Sequence, residues 1–288
     1  MKQLISGVCY DQDYNILLML DSLTVENYRD YLPLKKDTPL TILRMKARYC
    51  KGWYDLEKLN YNPCQSKSKL EINQEKCFEC AKKSKYNPFF DKIDQNSLSA
   101  EQIAYNNQPH IVYLASFGPG IIKVGISNEY RKMDRWMDQG AIYACEIVKT
   151  PNAYIARDIE KLISSNKIAP ESVNKTKKIY SILQHGCNYD YEKDFLDAIK
   201  KIKNIGVKVE ESIYQIINNN LVNFDFSYAT DMSSTLPIEI SGVIIGVIGD
   251  YLFLKNNGRI LYWKLSLITS HICKIESTVK DIHSNTLF

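Results

Sequence analysis

Short runs of apolar residues, partly alternating with polar ones, occur near both ends of the chain and predict β-strands there. The runs near the N-terminus are residues 4–8, 16–20 and 41–43, and those near the C-terminus fall within residues 238–275. The tetrapeptide Ile-Ser-Gly-Val occurs in both parts, at residues 5–8 and 240–243. We therefore hypothesise that the two β-rich parts, residues 1–45 and 221–288, pair in one domain with the rest of the chain inserted between them.

The apolar pattern of residues 109–183 predicts a β-β-α-β-α unit. Apolar runs at residues 110–115 and 121–126 flank Gly118-Pro119-Gly120, which favours the tight turn of a hairpin. Ser127 and Asn128 are suited to cap a helix that ends near residue 139, and a third strand is predicted at residues 141–148. A second helix begins after Thr150-Pro151-Asn152, and its predicted buried stripe comprises Ile155, Ile159, Leu162 and Ile163.

Helical patterns flank this unit on both sides. Residues 91–108 are predicted to be a helix or a linker, with Ser97 or Ser99 as the capping residue. A later helical segment has one apolar face, which comprises Phe195, Leu196, Ile199 and Ile202. The predicted fold class is therefore α+β. Its five parts are β-rich residues 1–45, a cysteine module at 46–92, the α/β unit at 109–183, the helical segment at 184–220 and β-rich residues 221–288.

Four of the eight cysteines form a spaced cluster. Thirteen residues separate Cys50 from Cys64, twelve separate Cys64 from Cys77, and Cys77 and Cys80 form a C-x-x-C pair. Two thiolates from one tight turn fit adjacent corners of a tetrahedral zinc site. Residues 46–92 contain few aliphatic side chains, so a bound metal would supply folding energy that a core cannot. We predict a structural Zn²⁺ held by these four cysteines; the alternative is that Cys77 and Cys80 are a redox pair.

Hydropathy and charge predict where the protein is located and what class of partner it binds. No apolar run reaches the roughly 18 residues needed to cross a bilayer, and the N-terminus lacks a secretory signal pattern. We therefore expect no membrane partner and a cytoplasmic location, where thiols stay reduced. The net charge is only +4, but residues 41–92 carry twelve Lys and Arg against six Asp and Glu. This local excess suits nucleic acid as a partner, and a solvated lysine-rich surface is the alternative.

Two motifs in the α/β unit resemble the signature of the GIY-YIG nuclease superfamily. Tyr113 ends the run Ile-Val-Tyr, and Lys123-Val124-Gly125 stands at the second half of the signature. Ile111 and Lys123 replace the usual glycine and tyrosine. Further motifs resemble an uncharacterised bacterial family that joins a four-cysteine zinc module to such a domain. These motifs are residues 48–52, Pro63-Cys64, Cys77 with Cys80, residues 112–115 and 123–126, Arg135-Trp136, residues 139–141 and residues 242–254.

The resemblance implies a metal-dependent endonuclease acting on DNA or RNA. By similarity, Glu160 would hold a divalent Mg²⁺ or Mn²⁺ ion, and Tyr113 would accept or relay a proton from the attacking water. Lys123 would lower the pKa of this tyrosine or bind phosphate. Arg131 and Arg135, four residues apart, would lie on one helix face and bind the phosphate. Each residue alone is more often structural, and only their joint order favours an active site.

Two other function classes stay open. The same fold could bind nucleic acid without catalysis, or the chain could be a protein-interaction scaffold. The four histidines are scattered without metal-ligand spacing. The sequence contains neither a phosphate-binding Gly-rich loop nor a nucleophile elbow.

Overall fold

A computed structural model describes residues 2–26, 28–187, 189–210, 212–216, 225–233 and 239–280. The predicted α+β class is confirmed. The chain divides into two compact units, one made of residues 1–86 with 229–288 and the other of residues 87–228. No helix within the described ranges is long and apolar enough to cross a membrane.

Along the chain, the first unit contributes helices and strands both before and after those of the second unit. Residues 1–86 contain β1 (Lys2–Tyr10), β2 (Ile16–Asp21), β3 (Arg29–Pro33), β4 (Pro39–Tyr49), β5 (Trp53–Asp55), β6 (Asn60–Asn62), β7 (Lys69–Leu70) and α1 (Phe78–Lys83). Residues 87–228 contain α2 (Ala100–Asn106), β8 (His110–Ser116), β9 (Ile122–Asn128), α3 (Lys132–Asp138), β10 (Tyr143–Thr150), α4 (Ala153–Ser165), α5 (Lys175–His185), α6 (Glu192–Asn204) and β11 (Ser212–Gln215). Residues 229–288 contain β12 (Thr230–Asp231), β13 (Glu239–Ile248), β14 (Tyr251–Asn256), β15 (Arg259–Lys264) and β16 (His271–Glu276).

The first unit is built on a sheet that mixes strands from both ends of the chain. Its order is β12-β15-β14-β13-β4-β16-β1-β2-β3, with β7 also paired to β4. Strand β4 lies between β13 and β16 and is antiparallel to both. Opposite residues Thr41 and Ser241 are buried, and their hydroxyl oxygens lie 2.7 Å apart. Ile5 and Ile240, from the two copies of the tetrapeptide, belong to one hydrophobic core.

The second unit has a four-stranded sheet in the order β11-β10-β8-β9. The hairpin β8–β9 pairs Tyr113 with Gly125 and Ala115 with Lys123. Ser99 caps α2 by accepting a hydrogen bond from the backbone N–H of Gln102, so the second of the two predicted caps is the one used. Residues 212–215, predicted within a helical segment, instead form strand β11, because their extended backbone pairs with the free edge of β10.

The buried stripe of α4 differs from the predicted one. The structure buries Ala153, Ala156, Glu160 and Ile163, whereas Ile155 and Leu162 are 43% and 41% exposed. The prediction of a stripe through these two residues is wrong. The observed spacing also fits a helix face, and its two alanines let α4 lie close to β8 and β9, which it contacts. As a consequence, the helix turns a carboxylate towards the sheet.

The apolar face of α6 is predicted correctly except at one position. Phe195, Ile199 and Ile202 are buried, but Leu196 is 57% exposed. The buried residues of α6 are Phe195, Ala198, Ile199 and Ile202, and Leu196, about 100° from Phe195, lies outside the face that they form.

Leu162 and Ile163, which are adjacent in α4, provide a matched test of how this helix packs against the sheet. Ile163→Ala removes a side chain that is 0% exposed, so we expect it to lower the free energy of unfolding by about 2–5 kcal/mol. Leu162→Ala removes a side chain of equal size from the partly exposed face and should cost less than about 1 kcal/mol. Urea unfolding of both variants measures the difference. Equal costs would contradict the described orientation of α4.

Candidate functional site

The four predicted zinc ligands lie together in the first unit. The Sγ atoms of Cys50, Cys64, Cys77 and Cys80 are all within 4.8 Å of one another. The Sγ atoms of Cys64 and Cys77 are 3.8 Å apart, and a tetrahedron built on Zn–S bonds of about 2.3 Å has edges of about 3.8 Å. The cluster can therefore hold a metal ion such as zinc.

The fold explains why Cys50 and Cys64 are so widely spaced in the sequence. The hairpin of β5 and β6 occupies the residues between them. At the base of this hairpin Gly52 has φ +100°, and a Cβ there would lie 1.9 Å from the backbone oxygen of Asn62. Only glycine permits this approach, which brings the two cysteine-bearing segments side by side. Strand β7 then pairs with the end of β4 and returns the chain towards Cys77 and Cys80.

The thiols of the cluster interact with one another and with the backbone. The backbone N–H of Cys77 donates to the Sγ of Cys50 over 3.3 Å. Burial raises the pKa of Cys50 and of Cys80. Burial acts in the same direction on Cys77, but hydrogen bonds from the backbone of Cys80 and from neighbouring cysteine side chains lower its pKa to about 7. One sulfur of the four is thus prepared to ionise near neutral pH, as metal binding requires.

In the second unit, four of the five predicted catalytic residues share one polar neighbourhood. Tyr113 lies on β8 and is 0% exposed, Lys123 on β9 is 8% exposed, and Glu160 on α4 is 3% exposed. Arg135 lies on α3 and is exposed. A Cβ on Gly125 would lie 2.5 Å from the phenol oxygen of Tyr113. The glycine of the Lys-Val-Gly triplet therefore makes room for the tyrosine ring across the backbone of β9.

The charges of these groups shift one another's pKa values. Burial lowers the pKa of Lys123 to about 8, with a further lowering by Arg135 and an opposing effect of Glu160. Burial raises the pKa of Glu160, against the effect of Arg157 and Lys123. Burial also raises the pKa of Tyr113, while the charge of Arg135 opposes this rise. The ammonium of Lys123 lies 5.9 Å from the centre of the Tyr113 ring.

Arg131 occupies a different position from the one predicted. The expected single helix from residue 129 is divided into a 3₁₀ turn, Glu129–Arg131, and α3, which begins at Lys132. Arg131 is the N-cap of α3, with φ −113° and ψ 9°. Arg131 therefore lies at the boundary between the two helical segments, whereas Arg135 lies within α3. Its charge acts on Asp134, where burial raises the carboxyl pKa and Arg131 opposes the rise.

Three further polar residues belong to this neighbourhood but were not predicted. Arg157 donates to a carboxylate oxygen of Glu160 through Nη1. Gln139 donates through Nε2 to the phenol oxygen of Tyr113 over 2.9 Å. Lys178 donates to the backbone oxygen of Gln139 over 3.2 Å, and burial lowers its pKa to about 8. Arg157 precedes Glu160 by three residues, a helical pairing distance that the sequence does contain; the other two contacts join distant segments.

Arg157 also connects the neighbourhood to the segment before α2. Its Nε lies 3.7 Å from Asp91, and the ammonium of Lys161 lies 2.8 Å from the other carboxylate oxygen of the same residue. The guanidinium is thus placed between two carboxylates, those of Glu160 and Asp91. This arrangement compensates the buried charge of Glu160.

Comparisons with known proteins give one match. The family model described as "Protein of unknown function (DUF2797)" matches residues 38–265. The matched range includes both the cysteine cluster and the β-β-α-β-α unit. No curated protein and no solved structure matches the chain.

The hydrogen bond between Gln139 and Tyr113 can be tested with a double-mutant cycle. Gln139→Leu leaves the buried phenol without this donor, so we expect a loss of about 1–3 kcal/mol in the free energy of unfolding. In the Tyr113→Phe background the same substitution should cost clearly less, because no hydroxyl is left to satisfy. Denaturant unfolding of the four proteins gives the coupling. Strictly additive costs would contradict the described contact.

Proposed function

The chain belongs to the DUF2797 family, and we propose that it is a zinc-containing, metal-dependent phosphodiester hydrolase of the GIY-YIG type that acts on DNA or RNA. The observation that carries this proposal is the shared neighbourhood of Tyr113, Lys123, Arg135 and Glu160. They come from two strands and two helices of the second unit, and their charges act on one another. A phenol, an ammonium, a guanidinium and a carboxylate are the groups that phosphoryl chemistry requires.

Each of these residues has a distinct proposed task. Arg135 is exposed, so its guanidinium is the group that first meets a phosphate and binds it through paired N–H donors. Lys123 neutralises charge on the reacting phosphate from a more buried position. Burial raises the pKa of Tyr113, so the phenol keeps its proton, and because its oxygen accepts from Gln139 the hydroxyl stays oriented to relay a proton from the attacking water to a reacting oxygen.

Glu160 is the residue that would hold the divalent ion. Magnesium is commonly bound in proteins through one or two carboxylates together with substrate phosphates, so a single glutamate fits this ion and Mn²⁺. When bound, the ion would acidify a water molecule and neutralise phosphate charge. Gln139 and Lys178 then act as positioning residues, because the first fixes the phenol and the second fixes the backbone of the first.

For the cysteine cluster we propose a structural Zn²⁺. Four thiolates fill a tetrahedral site and leave no position for a substrate or water. The ion would replace the hydrophobic core that residues 46–92 cannot form, since only a few apolar side chains, such as Leu70 and Trp53, pack around the sulfurs. This assignment also supports a cytoplasmic location, where cysteine thiols are kept reduced.

A second candidate function is nucleic-acid binding without hydrolysis. The ion pair between Arg157 and Glu160 favours it, because the guanidinium lies against the carboxylate that a divalent ion would have to reach. Both side chains are largely buried, at 18% and 4% exposure. In this case the cations Lys123, Arg135 and Lys178 would bind phosphates and Glu160 would only hold Arg157 in place.

The zinc assignment predicts metal content and its dependence on single cysteines. We expect the purified chain to contain about one zinc ion, because the cluster offers one set of four thiolates. Cys64→Ser should lose most of this zinc and unfold at lower temperature. Cys9→Ser, in the same unit but outside the cluster, should keep both the zinc and the unfolding temperature. Elemental analysis and thermal unfolding measure these values. A variant Cys64→Ser with full zinc content would contradict the assignment.

The hydrolase proposal predicts nicking of plasmid or cleavage of single-stranded substrates in the presence of Mn²⁺ or Mg²⁺. Glu160→Gln should reduce the rate at least about a hundred-fold, because it removes the charge that holds the ion. Glu171→Gln is the matched control: this carboxylate is exposed, accepts a hydrogen bond from the hydroxyl of Ser164, and acts on Glu160 and Lys123 only through its charge. It should leave the rate nearly unchanged.

The same experiment separates the two candidate functions. Equal rates in the wild type and in Glu160→Gln, or no cleavage with either ion, would contradict hydrolysis at this site. If the chain then still binds labelled nucleic acid, with an affinity that falls steeply with salt, the second candidate explains the arrangement.

A further inference from the structure

A groove lies beside the cysteine cluster in the first unit, and the proposed hydrolase function does not use it. Its volume is about 450 Å³, within the range of pockets that hold small organic groups. The side chains that line it include Trp53, Asn62, Gln65, Ser66, Glu79 and Lys83, and the cluster cysteines Cys64 and Cys80 also border it. A groove framed by metal-ligating residues has walls that a bound ion would hold in place.

The hairpin of β5 and β6 turns its indole towards this groove. Trp53 and Asn62 are opposite each other in the hairpin, so they share one face, and both line the groove. The next pair, Tyr54 and Tyr61, lies on the other face, with ring centres 4.9 Å apart. Trp53 packs against the cysteine cluster with one part of its side chain and is only half-buried. Because Trp53 also lines the groove, a flat ligand placed there would meet this residue.

Trp53 is unusual among the tryptophans of this chain. The chain has three, all within the described ranges, and Trp136 and Trp263 are 0% and 1% exposed. Burial explains those two as core residues. The partial exposure of Trp53 is not explained by core packing.

The other groups of the groove suit the edge of a nucleobase. Asn62 and Gln65 each offer a donor and an acceptor, whereas the hydroxyl of Ser66 is already engaged with Ser68 and the Sγ of Cys64. Lys83 is exposed on one wall, and Lys82 and Lys85 next to it in the chain are exposed as well. Residues 41–92 carry twelve Lys and Arg against six Asp and Glu. An aromatic face combined with amide groups and surrounding cations is the arrangement that binds single-stranded nucleic acid.

We propose that this groove is a nucleotide-binding subsite for single-stranded DNA or RNA, in which a base stacks on Trp53 and the adjacent phosphate contacts Lys83. A base has to be unstacked from its neighbours to enter such a groove, so single strands bind better than duplexes. The subsite lies in the first unit and does not depend on hydrolysis in the second.

The test uses the whole chain, purified in the presence of zinc, and a labelled oligothymidylate of about 12 nucleotides. Tryptophan emission should be quenched on binding, and the same concentration dependence should appear in the anisotropy of the label. Trp53→Phe should abolish the quenching and keep most of the affinity, because phenylalanine still stacks. Trp53→Ala should weaken binding about five-fold to a hundred-fold. Zinc content equal to the wild type shows that each variant is folded.

Lys83 and Glu79 both line the groove, and removing their charges should change the affinity for the oligonucleotide in opposite directions. Lys83→Gln should weaken binding and reduce the salt dependence by about 0.7 in the log–log slope, as for the loss of one phosphate contact. Glu79→Gln removes a negative charge from the groove and should strengthen binding. Lys46→Gln, an exposed lysine on β4, is the control and should change neither value.

Binding without any change in tryptophan emission would overturn the proposal, as would equal affinity of the wild type and Trp53→Ala. A further variant separates this subsite from the second unit. Arg135→Gln should still show the quenching of Trp53, whatever it does to the overall affinity or to cleavage, because Arg135 is not among the residues that line the groove. If Arg135→Gln instead abolishes binding and the groove variants do not, the nucleic acid is held in the second unit and the groove is not its subsite.

Discussion

A buried charge must be compensated, and this requirement organises the second unit. The carboxylate of Glu160 is 3% exposed, and an uncompensated charge in that position would cost several kcal/mol. Arg157 provides the direct partner and is itself held near Asp91. Lys123 adds a second positive charge that acts on the same carboxylate. Lys123 is also one of the cations proposed to bind phosphate, so the stability of this unit and its proposed function share this side chain.

In the first unit, the charges that must be compensated are those of four cysteine thiols. Four thiols within 4.8 Å of one another cannot all ionise without a cation between them, because their charges repel. A bound metal removes this repulsion and replaces a hydrophobic core in a segment with few aliphatic residues. The close approach at Gly52 therefore has two consequences. It brings the cysteine-bearing segments together, and it shapes the hairpin on which Trp53 lines the groove. Metal binding and the proposed nucleotide subsite share one scaffold.

Local patterns account for most of the elements that were predicted from the sequence. The Gly-Pro-Gly hairpin, the cap at Ser99 and the apolar face through Phe195 depend on neighbours a few residues away, and such interactions are visible in sequence. The errors have a common cause. The sequence of α4 allows two buried faces, one with large aliphatic residues and one with two alanines and Glu160. Packing against the sheet buries the face with the alanines and Glu160. Strand β11 forms because β10 offers a free edge to residues 212–215, and no local pattern encodes that edge.

The sequence by itself determined the fold class, the four members of the cysteine cluster and the order of strands and helices in the β-β-α-β-α unit. It did so because strand period, turn chemistry and C-x-x-C spacing are short-range properties. The tertiary structure alone decided that Gln139 and Lys178 support Tyr113, and that the guanidinium of Arg157 lies near Asp91 as well as Glu160. These outcomes depend on distances between segments far apart in the chain and on burial, which sets the strength of every charge interaction.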